Sequence, residues 1–118
     1  RIKKGELSFT FDHLNKVHKV RGKISLFGKT ETSDIQLIHK YRGQMLICFA
    51  DVVRLKKLRG DVVVVDGNIG RIEKFKGNLV LIGGSVGDIS KFKGNLVLIG
   101  GHVNGQITHS SRANILLR

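Results

Sequence analysis

Lysine and arginine recur in pairs along this sequence, and their spacing makes anion binding the first chemistry to consider. Each pair flanks one apolar residue, so its two basic residues stand two positions apart. Because alternate residues of a strand project from the same side, both members of a pair should face the same way. These ten residues, here called the basic ladder, are Lys19, Arg21, Lys40, Arg42, Lys57, Arg59, Lys74, Lys76, Lys91 and Lys93, and Lys4 would extend the series.

The overall charge supports an anionic partner. A net charge of +12 and a pI near 10.4 indicate nucleic acid, acidic lipid or an anionic wall polymer. Base-specific recognition is not indicated, because Tyr41, Phe75 and Phe92 stand at positions expected to face inward. A second interpretation stays open, in which repeat duplication simply copied a soluble lysine that resists aggregation.

Residues suited to catalysis or metal binding show no comparable order. The histidines are expected to share no single column of the fold and have no metal-ligand spacing; they are His13, His18, His39, His102 and His109. The nine acidic residues are scattered, so paired carboxylates are not indicated. Cys48 lies in the apolar run MLICF, where a buried role fits a reducing compartment. The sequence therefore predicts no enzyme, no metal, no cofactor and no small-molecule substrate.

A repeat must position the basic ladder. The stretch KFKGNLVLIGG occurs at 74–84 and again at 91–101, and its glycine recurs about every 17 residues, with an insertion near KTETS. The recurring glycines are Gly5, Gly22, Gly43, Gly60, Gly77 and Gly94, and SRANILLR resembles a degraded seventh unit. A unit this short cannot bury its own apolar face and needs stacked neighbours.

Apolar residues alternate within each unit and predict an all-β fold. They favour a single-stranded parallel β-helix, or β-solenoid, with about 17 residues per coil, about three short strands in each coil and six to seven coils. One domain over 1–118 is expected, with an irregular coil near 29–34 and a degraded last coil over 109–118. An antiparallel barrel of hairpins would not require a fixed register, and a left-handed hexapeptide-repeat enzyme would show a coil of about 18 residues.

Two further sets of side chains should line up along the solenoid. Asp61, Asn78 and Asn95 follow the repeat glycine and predict a ladder of side-chain hydrogen bonds, which Asn114 would extend. Apolar residues on the outward side of the same strand predict an interaction surface. This lateral apolar stripe comprises Leu46, Val63, Val80, Val97, Val65, Ile82 and Ile99.

The two ends of the solenoid are expected to be polymerisation surfaces. An open solenoid presents unpaired backbone groups at each end, and neither end of the sequence has an obvious amphipathic capping helix. Flanking residues are expected, because the sequence starts at Arg1 without Met. The predicted end residues are Leu7, Phe9 and Phe11 at one end and Ile115, Leu116 and Leu117 at the other.

The coil pattern resembles a known family. GDVVVVDGNIGRI, GNLVLIGGSVGDI and GNLVLIGGHVNGQI are similar to coils of the bactofilins, polymer-forming bacterial cytoskeletal proteins, and the pattern extends from Gly5 to Ile107. The resemblance implies a right-handed β-helix that joins end to end into nonpolar filaments and scaffolds other proteins at the membrane. This chain is more basic than expected for that family, and its insertion at KTETS makes one coil irregular.

The sequence therefore predicts a non-enzymatic, self-assembling scaffold whose main partner is itself. The alternative is a β-solenoid that binds a polyanion, either nucleic acid, an acidic membrane surface or a wall polymer, through the basic ladder. The expected location is the cytoplasm, including the inner face of the membrane. No apolar run approaches the length of about 20 residues that a membrane-spanning helix needs, and the first residues do not show the charged, then apolar, then small pattern expected of a leader.

Overall fold

A computed structural model of the chain describes residues 6–108 and 111–118. The predictions made for Lys4, Gly5 and His109 lie outside these described residues. The described part contains no helix long and apolar enough to cross a membrane.

Seven parallel β-strands pair in chain order and form a β-solenoid of about six turns, with about 17 residues per turn. The predicted all-β solenoid is therefore confirmed. The strands are β1 (Glu6–Phe11), β2 (His13–Gly28), β3 (Asp34–Cys48), β4 (Asp51–Val65), β5 (Ile69–Ile82), β6 (Val86–Ile99) and β7 (Arg112–Leu117).

The register between neighbouring strands follows the predicted period. Gly43, Gly60, Gly77 and Gly94 are successive partners, at the regular spacing of the turns. The offset is longer between β2 and β3 and between β6 and β7. The first irregularity reflects the predicted insertion, where the amide of Lys29 donates to the carbonyl of Phe11 over 2.9 Å. This contact holds the extra residues against the neighbouring coil without breaking its pairing.

Each complete coil is one long strand with sharp bends, where we expected about three short strands. Strands β2 to β6 are 14 to 16 residues long. Single residues with positive φ make the bends, among them the repeat glycines, such as Gly77 at 135°. A Cβ atom at Gly77 would lie 2.0 Å from the carbonyl oxygen of Gly60. Because one residue is enough for each bend, pairing resumes on both sides of it.

The core consists of inward columns that run from coil to coil. Val20, Tyr41, Leu58, Phe75 and Phe92 form one buried column. The Tyr41 hydroxyl lies 2.7 Å from the carbonyl oxygen of Gln44 and also contacts that of Gly22, while burial raises the pKa of this tyrosine to about 12. The predicted inward side is therefore confirmed for this column.

Polar side chains form two hydrogen-bonded ladders at the bends. Asn78 donates to Asp61 over 2.8 Å, Asn95 to Asn78 over 2.8 Å, and Asn114 to Asn95 over 3.2 Å, as the sequence predicted. The second ladder was not predicted: backbone amides of Asn68, Ser85 and His102 each donate to a side chain one coil earlier. Its acceptors are Asp51, Asn68 and Ser85.

Candidate functional site: a basic groove and two open ends

All ten residues of the basic ladder are exposed, and the structure places them on one side of the solenoid as two adjacent columns. The second column is in direct register, since Arg21, Arg42, Arg59, Lys76 and Lys93 are successive partners. Arg112 pairs with Lys93 and extends this column by one coil. Arg112 was not among the ten residues predicted for the ladder, although the alignment of Asn114 with Asn95 places it in the same column.

The first column of the ladder has an unusual backbone. All five of its lysines adopt positive φ angles between 52° and 65°; they are Lys19, Lys40, Lys57, Lys74 and Lys91. In this left-handed region an L-residue with a Cβ atom is disfavoured by about 1–2 kcal/mol, and glycine or asparagine is the usual occupant. The lysines therefore stand at a bend of the coil, in a conformation that their own side chains do not favour.

A surface groove lies between the two columns in the region of β4 to β6. We call it the basic groove, and it is lined by Lys57, Arg59, Lys74, Lys76, Lys91 and Lys93. Leu58 and Phe75 also line it, and both are almost fully buried between the columns. The groove thus lies between two rows of positive charge and exposes almost none of the two apolar side chains at its base.

Carboxylates of the described residues do not neutralise this charge. Within the part of the chain that the structure describes, no ion pair involves a residue of the basic ladder. The ion pairs lie elsewhere: Arg54 contacts Glu73 at 2.8 Å and Arg71 contacts Asp88 at 3.7 Å. Neighbouring charges of the ladder are about 4.8 Å apart along the coil stack and repel by roughly 1 kcal/mol even in water.

Two histidines do share a column, which corrects the sequence interpretation. His18 and His39 are register partners because the offset between their strands includes the insertion. Their rings stack at 4.9 Å between centroids, and their Nδ1 atoms lie 3.1 Å apart. Desolvation is the main cause that lowers the pKa of both rings below 6.5, and neighbouring lysines lower it further.

The acidic residues are also less scattered than their sequence positions suggest. Asp34 and Asp51 are register partners in adjacent coils. Their carboxylates nevertheless have different contacts, since Asp34 lies 2.5 Å from His13 Nδ1 while Asp51 accepts from the amide of Asn68. The hydrogen bond from His13 is the main cause that lowers the pKa of Asp34. Among the described residues no three His, Cys, Asp or Glu side chains are grouped so that they could hold a metal ion.

The lateral apolar stripe is present but only half-exposed. Leu46, Val63, Val80 and Val97 are register partners with intermediate exposure, and Leu116 continues their column. The adjacent column contains Val65, Ile82 and Ile99, of which the last two are exposed. Cys48, in that same column, is buried, and burial raises the pKa of its thiol.

The ends differ from the middle of the stack, because within residues 6–108 and 111–118 β1 and β7 each pair with one neighbouring strand. Phe9 is 46% exposed and Leu117 is 58% exposed, although their columns are buried elsewhere. Leu7 is half-buried, and Ile115 and Leu116 are exposed. Phe11 is an exception among the predicted end residues, because it packs into the core with only 6% exposure.

The end formed by β1 also contains an open apolar hollow. Its lining comes from β1 and β2. The apolar members are Phe9, Phe11, Leu14, Val17, Val20, Ile24 and Leu26, and Thr10, Lys16 and His18 also line it. In the middle of the stack the neighbouring coils cover the equivalent inward columns on both sides. The hollow is therefore the place where a further coil would pack.

Comparisons with models of protein families, with curated proteins and with solved structures gave no match. Functional conclusions for this chain therefore depend on its own surfaces.

Proposed function

We propose that this chain is a non-enzymatic scaffold subunit that assembles into filaments by end-to-end stacking of solenoids. The observation that carries the proposal is the pair of open ends, where the described part of the chain shows a strand edge without a paired neighbour and exposed apolar side chains. Such edges are either covered or used for pairing. The resemblance of the coils to those of bactofilins agrees with this function and suggests the cytoplasm, at the inner face of the membrane, as its location.

The two ends match each other as successive coils do. Ile115 and Leu117 continue the inward columns of Leu96 and Leu98, while Leu7 and Phe9 begin the columns of Ile24 and Leu26. A second copy stacked head to tail would therefore place Leu117 over Phe9 and continue both columns. Each such side chain that becomes fully buried contributes about 1.5–3 kcal/mol.

Electron microscopy of the purified chain at low and high salt tests the proposal. We expect filaments that persist at high salt, because burial of apolar end residues is insensitive to screening of charge. Phe9→Lys and Leu117→Lys should abolish filaments. Phe49→Lys is the matched control, because Phe49 is 53% exposed but does not belong to the end columns. A monodisperse short rod at every salt concentration would overturn the proposal.

Disulfide cross-linking tests which ends meet. Ser8 begins the column that Leu116 ends, so head-to-tail stacking would bring these two positions about 4.8 Å apart, within the range for a disulfide. A mixture of Ser8→Cys and Leu116→Cys chains should then form mixed dimers. Dimers of one variant alone would instead show that like ends meet, as in the nonpolar filaments that the resemblance implies.

A second candidate function is anion binding by the basic ladder. The specific observation in its favour is that exposed, unneutralised lysines occupy five bends where φ is positive. Binding of an anionic polymer should weaken as salt rises, with a slope that reports the number of charges contacted. Acidic partners that bind without salt dependence would count against this function.

A further inference from the structure

We propose that the basic groove binds an unbranched polyanion with closely spaced charges, such as a polyphosphate chain, which lies parallel to the solenoid axis. This inference rests on the second proposed function, anion binding by the basic ladder. It adds a class of ligand and an orientation that follow from the arrangement of the charges.

The spacing of the charges defines the ligand. Coils follow one another at about 4.8 Å, and each coil supplies two basic residues, so the ladder offers about one positive charge for every 2.4 Å of axis. The two residues of a pair are two positions apart, which limits their separation along the strand to about 7 Å. One narrow chain fits between the columns and can contact both of them at every coil.

Nucleic acids match this pattern less well. A single nucleic-acid strand carries one charge per about 3.4 Å, and duplex DNA reaches one per about 1.7 Å only by counting both of its strands. Bases would also require an aromatic face for stacking. Phe75 offers none, because it is almost fully buried and its ring stacks on Phe92. In a polyphosphate chain only a bridging oxygen separates neighbouring charged phosphates, so its charge density is closer to that of the ladder.

The concave shape of the site favours a chain over a membrane. The groove lies between two columns of basic side chains, so a ligand within it can be contacted from both sides. A flat lipid surface would contact only the outer ends of the lysine and arginine side chains. The repeated rows along β4, β5 and β6 therefore suit a ligand that is long and narrow.

The backbone conformation of the first column indicates that its lysines have a function other than turning the chain. A bend that served only to turn the chain would be more stable with glycine or asparagine, which tolerate positive φ. At another bend with positive φ the four successive coils place Phe49, Asp66, Gly83 and Gly100, so the fold uses glycine at two of these four positions, whereas lysine occupies every position of the first column. Lysine at all five bends of the first column therefore adds backbone strain and charge repulsion that a bound polyanion would offset in part.

The test compares two triple variants that remove the same charge. Lys57→Asn/Lys74→Asn/Lys91→Asn removes one wall of the groove and keeps residues that tolerate positive φ. Lys16→Gln/Lys23→Gln/Lys29→Gln removes three exposed lysines outside the ladder. Long-chain polyphosphate and tripolyphosphate are titrated into each folded protein at one low salt concentration, with thermal unfolding as the check on folding.

We expect long-chain polyphosphate to bind about tenfold or more tightly, per phosphate, than tripolyphosphate, because only the long chain contacts several coils. The groove variant should lose about tenfold or more of this affinity, and the control variant should change about twofold or less. Equal affinity per phosphate for both chain lengths would contradict the proposal that a long chain lies along the solenoid axis. It would not contradict anion binding by the basic ladder. Equal losses in both variants would overturn anion binding by the ladder as well.

Two further probes distinguish other ligand classes. Duplex DNA and vesicles that contain acidic lipid are compared with long-chain polyphosphate at matched total charge. The proposal is supported if the unmodified chain prefers long-chain polyphosphate and the groove variant does not. Tighter binding to the vesicles or to DNA would replace the proposed ligand with a membrane surface or a nucleic acid.

Discussion

The rings of Phe75 and Phe92 stack face to face one coil apart, with their centroids at 4.9 Å and their planes 7° apart. Both rings belong to the buried column that also contains Tyr41 and Leu58. Contacts in this fold thus run mainly between equivalent residues of adjacent coils. Stability in such proteins is approximately a sum of terms for individual coils and for the contacts between them.

Truncating one ring of this stack should destabilise the fold strongly. We expect Phe75→Ala to lower the free energy of unfolding by about 3–5 kcal/mol, since it leaves a cavity between two coils. Phe49→Ala is the control, and at this exposed position the loss should stay below about 1 kcal/mol. Chemical denaturation monitored by circular dichroism measures both values. Similar losses in the two variants would contradict the role given to the stack.

Asparagine should have opposite effects at two lysines that are two positions apart. Lys74 has φ 65°, whereas Lys76 lies in the regular part of β5. Lys74→Asn should raise the free energy of unfolding by up to about 1 kcal/mol, because asparagine tolerates this conformation. Lys76→Asn should lower it by up to about 1 kcal/mol, since asparagine is unfavourable in strands. Thermal unfolding of the two single variants measures both effects. A loss of stability in Lys74→Asn would contradict the claim that lysine is strained at this bend.

Glycine at position 77 should be irreplaceable. Gly77→Ala combines backbone strain of about 1–3 kcal/mol with a Cβ atom that would lie 2.0 Å from the Gly60 carbonyl oxygen. Gly100 also has positive φ, but a Cβ atom there would meet no other described atom within 4 Å, so Gly100→Ala should show the strain alone. The difference between the two denaturation midpoints measures the steric contribution. Equal effects would show that the close approach of the coils is relieved by a small shift.

Acidification should weaken the coils that contain the histidine stack. The pKa values of His18 and His39 lie below 6.5 in the folded chain, so the unfolded chain binds more protons as the pH falls through 6.5. The stabilising contribution of the neutral rings is therefore complete above pH 6.5 and declines as the pH approaches the folded pKa. Protonation would add charge beside Lys16, Lys19, Lys40 and Lys56.

Melting temperatures measured between about pH 5 and pH 8 check this expectation. His18→Gln/His39→Gln should flatten the dependence on pH, whereas His102→Gln, at an exposed position away from the stack, should leave it unchanged. A double variant with the original pH dependence would show that other groups cause it.

Much of the fold was predictable because the repeat reports the pairing directly. The regular interval between Gly60 and Gly77 indicated the register, and alternate apolar residues indicated the inward columns. The hydrogen-bonded ladder that begins at Asp61 followed from the same alignment, since residues in one column are neighbours in a parallel stack. The outward position of the basic ladder is confirmed for the same reason.

Features that depend on backbone conformation or on the placement of side chains were not predictable. Lysine has no preference for positive φ, so nothing in the sequence indicated the bend at Lys74 and its equivalents. The alignment that pairs Lys19 with Lys40 and Asn95 with Asn114 also pairs His18 with His39 and Lys93 with Arg112, but the pattern does not report that the two imidazole rings stack. The groove could not be anticipated either, because it depends on the three-dimensional placement of the side chains in the two columns.

The identity of residues 74–84 and 91–101 has a consequence for how such a chain can change in length. Because β5 and β6 meet in an uninterrupted register, an in-frame duplication of one unit here would insert a coil whose contacts on both faces already exist. Each added unit would lengthen the rod by about 4.8 Å and add one pair of lysines to the basic ladder. Recombination between the two copies can therefore change the length of the solenoid without requiring new contacts in the core.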